Sequence, residues 1–112
     1  MLPRKFRAKK IDIGQTVKGG MNIPGSFLYA KVSRFDVEHA GFAVVISKKV
    51  EKTSVGRHLL KRRINASIES HLPHLQPEFK KVIVFFPKKS KKTLTYSEIK
   101  KEVEEILNKI IK

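Results

Sequence analysis

The chain contains no cysteine. That excludes a disulfide scaffold, thiolate zinc sites and thiol catalysis, and it makes a reducing cytoplasm the natural compartment. Acid is scarce: ten Asp and Glu stand against 25 Lys and Arg. Those acids are scattered or gathered near the C-terminus. No paired-carboxylate set for acid–base work or for a metal-dependent protein nuclease is evident. Long apolar runs are missing too. The two longest, Phe42 to Ile46 and Val82 to Phe86, have five residues each. Neither crosses a bilayer or makes a signal-peptide core, so no membrane partner is expected. Gly19-Gly20 lacks the Gly-Lys-Ser/Thr pattern of a phosphate loop. His71 and His74, without cysteine or a nearby acid, make a poor ligand set, and His39 reads as a solvated turn residue. No catalytic residue and no metal site are expected.

What remains is a short chain with a large charge. Its 112 residues fit one domain, 1–112, and 40% hydrophobic content suffices for a modest core. The net charge is +15. Self-repulsion on that scale opposes a compact state and anticipates a polyanionic partner. The charge is also unevenly placed. Residues 1–10 form a basic arm with five cations (Arg4, Lys5, Arg7, Lys9, Lys10) and no acid. Residues 47–63 carry seven (Lys48, Lys49, Lys52, Arg57, Lys61, Arg62, Arg63) against Glu51 alone, and residues 88–92 carry four lysines. The last fifteen residues hold four Lys and four Glu, with no net charge.

Pattern and punctuation predict the order α-β-β-α-β-α. A weak first helix spans roughly 10–19, with Ile11, Ile13 and Val17 apolar, and Gly19-Gly20 ends it. Residues 26–35 alternate as a strand: Leu28, Ala30 and Val32 share one face, and Phe27, Tyr29, Lys31, Ser33 and Phe35 the other. A polar link, 36–41, leads to a second strand, Phe42 to Ser47. The short link predicts an antiparallel hairpin. A helix from Ser54 to His71 follows, capped by Thr53 or Ser54. Leu60, Ile64, Ile68 and Leu72 form its stripe, with Val55 and Leu59 in support. Pro73 stops it, and 73–79 is a loop. The strand Lys81 to Phe86 is almost wholly apolar, so it is expected at the centre of the sheet. The Lys88–Lys92 run is an exposed loop. The last helix opens on the capping-box spacing Thr95-Tyr96-Ser97-Glu98 and repeats Ile99, Val103, Ile106, Leu107, Ile110 and Ile111. A small sheet with helices packed on it, an α+β sandwich, is the expected fold class.

The 57–63 segment carries the functional signal. Arg57–Lys61 and His58–Arg62 are i, i+4 neighbours, and Lys61-Arg62-Arg63 are consecutive. Like charges at that spacing destabilise an isolated helix by a few tenths of a kcal/mol. A phosphate backbone reverses the sign. On the first strand, Tyr29 offers a ring for a base and Lys31 a charge for phosphate. Ser47, Lys48 and Lys49 stand close by if the two strands pair. Phe27 and Phe35 read better as core.

The run Ser47-Lys48-Lys49-Val50, a short loop, and Val55-Gly56-Arg57-His58-Leu59-Leu60-Lys61-Arg62 resembles the signature of the bacterial ribonuclease P protein component. That signature reads Ser-Lys-Lys-Val, a loop, then Val-x-Arg-Asn-x-x-Lys-Arg. Leu2-Pro3-Arg4 to Lys10 is similar to the family's basic start. Phe27-Leu28-Tyr29 is similar to the start of its first strand, and Leu94-Thr95-Tyr96 to the lead-in of its last helix. The chain departs at His58, where Asn is usual, and at Asn65 and Ala66, where Arg and Glu or Gln are common. Gly14 and Lys18 fall near positions that are often aromatic, so no role is carried over to the first helix.

The resemblance implies a ribosomal-protein-S5-domain-2-like α/β sandwich with a left-handed β-α-β crossover through the basic helix. It implies a role in maturing the 5′ ends of transfer RNA. Chemistry would belong to a large RNA subunit, with Mg2+ held by that RNA and the substrate. Lys52, Arg57, His58, Lys61, Arg62 and Arg63 would bind the RNA subunit. Tyr29, Lys31, Ser47, Lys48 and Lys49 would bind the 5′ leader of precursor tRNA. A ribosomal or other structural RNA-binding protein would share the composition but not the Arg57–Arg62 spacing. A DNA-binding protein would need a readable helix-turn-helix, and the basic helix lies instead between strands.

Overall fold

The computed structural model describes residues 6–38, 40–74, 79–88 and 95–111. His39, most of the 73–79 loop, the Lys89–Lys92 part of the lysine run, Leu94, and Arg4 and Lys5 of the basic arm lie outside the described residues.

The elements are α1 (Lys10–Gly19), β1 (Met21–Ile23), β2 (Leu28–Val32), β3 (Gly41–Val44), α2 (Ser54–His71), β4 (Val82–Pro87) and α3 (Tyr96–Ile111). A 3-10 turn, Leu72–His74, follows α2. The strands form one mixed sheet in the order β1-β2-β4-β3. β2 runs antiparallel to both β1 and β4, and β3 runs parallel to β4. The result is an α+β fold: α2 and α3 pack together on one face of the sheet, and α1 lies against β2 and β4.

β4 explains the topology. Val82 to Phe85 are all buried. Ile83 and Phe85 join the core with Leu28, Ala30, Val32, Phe42, Ile64 and Ile68, and with Ile99, Val103, Ile106 and Leu107 of α3. Val82 and Val84 alternate with them and face the α1 side. A strand apolar on both faces is best buried with a neighbour on each edge. β4 therefore sits between β2 and β3, and the expected β2–β3 hairpin does not form. The link that was expected to reverse the chain instead crosses the end of β4. Ser33 N donates to Val82 O, Val37 N to Lys80 O and Gly41 N to Lys81 O, and Val82 N donates back to Ser33 Oγ. Because β3 and β4 are parallel, α2 becomes the crossover between them.

Three further differences from the sequence reading have local causes. β1 was not anticipated. It forms because the chain passes tightly between α1 and β2: a Cβ on Gly20 would stand 2.5 Å from Thr16 O and 2.7 Å from Val32 O. β2 and β3 are shorter than expected, so Phe27 leaves the alternation and packs against the core, while Ser33 is buried. Val55 and Leu59 do not support the α2 stripe; both are exposed.

α3 follows its sequence closely. Thr95 Oγ1 accepts from Glu98 N, and Glu98 Oε1 accepts from Thr95 N, closing the capping box. Its Glu102 is only 5% exposed. That carboxylate accepts from Phe27 N at 2.7 Å and Leu28 N at 3.2 Å, clamping the start of β2. Gly25 is required there, since a Cβ would meet Glu102 Oε1 at 2.5 Å and collide with the Leu28 carbonyl. Near the other end of β2, Lys81 Nζ lies 2.8 Å from Asp36 Oδ1. The hydrogen bond and charge of Lys81 hold the Asp36 carboxyl below its ordinary value. No helix among the described residues is long and apolar enough to cross a membrane.

Candidate nucleic-acid interface

The basic site is built on the turn that leads into α2. Ser47 O accepts from Val50 N and Glu51 N, which folds Ser47, Lys48 and Lys49 into an exposed turn. Thr53 caps the helix, its Oγ1 accepting from Gly56 N at 3.0 Å. Glu51 Oε1 accepts from Thr53 N and Oγ1. The stretch's one acid therefore lies at the positive end of the helix, not among the cations further along α2.

Arg57 is spent differently from its neighbours. Its guanidinium donates to Glu51 O and Lys52 O, each at 3.0 Å, and to Ser54 Oγ at 3.2 Å. It braces the turn against the first turn of α2. Lys52, His58, Lys61 and Arg62 are exposed, and Arg63 is half-buried. The exposed cations crowd one end of the molecule. The ion pairs Lys81–Asp36 and His71–Glu104 do not include these exposed cations.

A cleft of about 340 Å³ separates Val44, Val45 and Ile46 from Ser54, Arg57, His58 and Lys61. On its sheet side, Val45 adjoins a half-buried aromatic pair. Tyr29 pairs with Phe86 across β2 and β4, and the two rings stack at 5.0 Å and 11°. Val45 N donates to Phe85 O, which sets Val45 at the same level of the sheet. Tyr29, Phe86 and Val45 thus form a half-open row leading toward the cationic wall. Phe86 and Val45 were missed in the sequence. The signal was the Phe85-Phe86 doublet: in a central strand, one ring must face the helices and the other must not.

Lys31 does not join this group. Its Nζ donates to Val17 O at 2.8 Å, and Arg34 Nε donates to Gly19 O at 2.8 Å. Both satisfy carbonyls left unpaired at the end of α1 and complement its dipole. Lys31 is level with Val84 and Ala43 across the sheet, four residues short of Ser47. The expected closeness of Lys31 to Ser47, Lys48 and Lys49 rested on a β2–β3 pairing, and β4 occupies that place.

Nothing in the donor set suggests a resident metal. Among the described residues no group of three or more His, Cys, Asp or Glu converges. His71 Nδ1 donates to Ser67 O at 2.8 Å, and its Nε2 lies 3.9 Å from Glu104. The side chain of His74 lies outside the described residues.

Known proteins have a similar sequence and the same fold. Residues 2–111 match the family model described as Ribonuclease P. The ribonuclease P protein component of Synechocystis is 32% identical over 88 residues, covering 77% of this chain and 71% of that protein. The component from Trichormus variabilis is 32% identical over 72 residues, 64% of this chain and 51% of that protein. The Staphylococcus aureus RNase P protein has the same fold, with a TM-score of 0.75 and 22% identity over 94% of each chain. So has that of Thermotoga maritima, with a TM-score of 0.75 and 14% identity over 92% of this chain and 96% of the other. With a family match running almost from end to end, the chain belongs to the ribonuclease P protein family and is the protein subunit of a ribonucleoprotein endoribonuclease that matures transfer-RNA 5′ ends.

Proposed function

We propose that α2 and its lead-in turn grip the ribonuclease P RNA, and that the precursor's 5′ leader lies in the cleft beside them. Lys52, His58, Lys61, Arg62 and Arg63 supply charge to RNA phosphates, with Arg57 holding the turn that presents them. Ser47, Lys48 and Lys49 meet the leader backbone where it leaves the cleft. One leader base stacks on Tyr29, which Phe86 backs. Lys31 acts on the leader only through its place beside Tyr29, as its ammonium is engaged by α1.

The observation that carries this reading is the adjacency of the half-open Tyr29–Phe86 pair to a cleft walled by Arg57, His58 and Lys61. Stacking platforms beside cationic grooves suit single strands of any sequence, and leaders differ between precursors. Hydrolysis belongs to the RNA subunit, with Mg2+ held by RNA and substrate. Mg2+ favours convergent carboxylate and phosphate oxygens, and the described carboxylates do not converge. The expected partners are the RNA subunit and precursor tRNA, in the cytoplasm, without DNA or membrane.

The test is binding of precursor and mature tRNA to holoenzymes carrying wild-type protein or Tyr29→Ala, at fixed salt and Mg2+. Loss of a stacked base should weaken precursor binding by about 1–3 kcal/mol and leave mature tRNA unchanged. Equal losses for both RNAs would remove Tyr29 from the leader site.

A further inference from the structure

The apolar residues of α2 lie on two opposite sides. Ile64 and Ile68 are fully buried against the sheet and α3. At about 3.6 residues per turn, Val55, Leu59 and Arg62 point the other way. Val55 is 79% exposed and Leu59 44% exposed. They are i, i+4 neighbours, so their side chains adjoin on the helix surface. Single exposed apolar residues are ordinary. This pair is different in its setting. It stands on the outward face of the most cationic element of the chain, beside exposed Arg62 and with exposed His58 at its edge. The chain gains nothing from burying Val55 and Leu59 internally, because the core side of α2 is already filled.

We propose that Val55 and Leu59 form an apolar contact with an unpaired base of the ribonuclease P RNA, so that α2 recognises a splayed nucleotide as well as phosphate charge. The occupant follows from the surroundings. The cations flanking the pair call for a polyanion, and Glu51, the one acid of the 47–63 stretch, lies against the Thr53 cap. A polyanion that also presents flat apolar faces is a nucleic acid with bases out of the stack. The contact explains why an exposed helix face of an RNA-binding element carries Val and Leu instead of two more cations. It rests on the reading of α2 as the RNA-binding element.

Salt separates the two kinds of contact. Removing one phosphate contact flattens the slope of log affinity against log salt by roughly 0.7–0.9. Removing an apolar contact lowers affinity equally at every salt concentration. The experiment titrates a bacterial ribonuclease P RNA transcript with wild-type protein, Val55→Thr/Leu59→Gln, Leu59→Lys and Arg62→Ala, across a salt series. Thr keeps the shape of Val, and Gln keeps the size and helix propensity of Leu, so circular dichroism and melting should be unchanged. The double variant should bind about tenfold more weakly at all salts with an unchanged slope, the equivalent of about 1.4 kcal/mol. Leu59→Lys should steepen the slope yet bind more weakly than wild type at high salt. Arg62→Ala should flatten the slope.

Unchanged affinity of the double variant overturns the proposal, whatever Arg62→Ala does. So does a double variant whose RNA affinity holds while its self-association changes, which would mark the pair as a protein contact. Tighter binding by Leu59→Lys at every salt also overturns it, since charge alone would then be read at that position. If Arg62→Ala leaves the slope intact while the double variant weakens, the apolar contact stands and the phosphate role of Arg62 falls.

Discussion

α2 and α3 pack side by side on the same face of the sheet, yet they are built on opposite rules. α3 has one sharp apolar stripe, a closed capping box and four Glu balanced against four Lys in the segment that contains it. Its charges resemble those of a helix selected to be stable. α2 has apolar residues on two faces, no acid in its first turn and crowded cations. Each local choice in α3 agrees with the fold. Several in α2 do not, and such conflict is what a functional surface produces in an otherwise consistent sequence. The difference teaches that α3 spends its whole surface on stability, while α2 contributes Ile64 and Ile68 to the core and keeps an outward face whose charges and apolar residues do not stabilise the fold.

The strongest way to break this contrast is in the core. Ile106→Ala should destabilise the protein by about 2–5 kcal/mol, because Ile106 is almost fully buried and little can collapse into its place. Urea unfolding measures it, and the affinity of the remaining folded protein for RNA should be unchanged. A smaller loss than that of an exposed α2 substitution would reverse the division of labour.

Within α2 the braced and the free cation should differ. Arg57→Ala removes three hydrogen bonds that hold the lead-in turn, so it should lower stability by about 1 kcal/mol as well as weaken RNA binding. Lys61→Ala should flatten the salt slope for RNA with no loss of thermal stability. Equal melting temperatures for the two variants would show that the Arg57 contacts do not stabilise the turn.

The caps provide a finer comparison. Thr95→Ala and Thr53→Ala should each cost about 1 kcal/mol. If α2 is partly supported by bound RNA, adding the RNA should restore the melting temperature of Thr53→Ala more fully than that of Thr95→Ala. Equal restoration would remove the distinction.

The smallest expected effect lies away from both helices. Lys81 holds the Asp36 carboxyl below its usual value of 3.8. A depressed native value means that the pair's stabilisation is present above pH 3.8 and is lost as pH falls below it through the native value. Asp36→Asn should remove that part of the acid dependence and leave stability nearly unaltered once the pH lies below the native value. The measurement is unfolding free energy from neutral pH to pH 2. The pair is exposed, so the change should be slight.

Much of this protein was written locally. The two long helices, their caps and the central position of β4 could be read from spacing, because periodicity and capping depend on neighbours three or four residues away. The +15 charge and its concentration in residues 47–63 likewise pointed to a polyanionic partner without reference to any fold. The cationic residues of α2 were legible for the same reason. Pairing between strands was not. Adjacency in the chain predicts pairing of β2 with β3, whereas a strand apolar on both faces needs two neighbours and takes the place between them. That exchange set Lys31 apart from Ser47, brought Phe86 beneath Tyr29 and opened the cleft beside Arg57. Tertiary structure also decided which cations are free: carbonyl oxygens at the end of α1 and at the α2 lead-in engage Lys31, Arg34 and Arg57, and unpaired backbone groups exist only once the helices have formed. Residue types and their local spacing were thus determined by the sequence, and their company was decided by long-range burial.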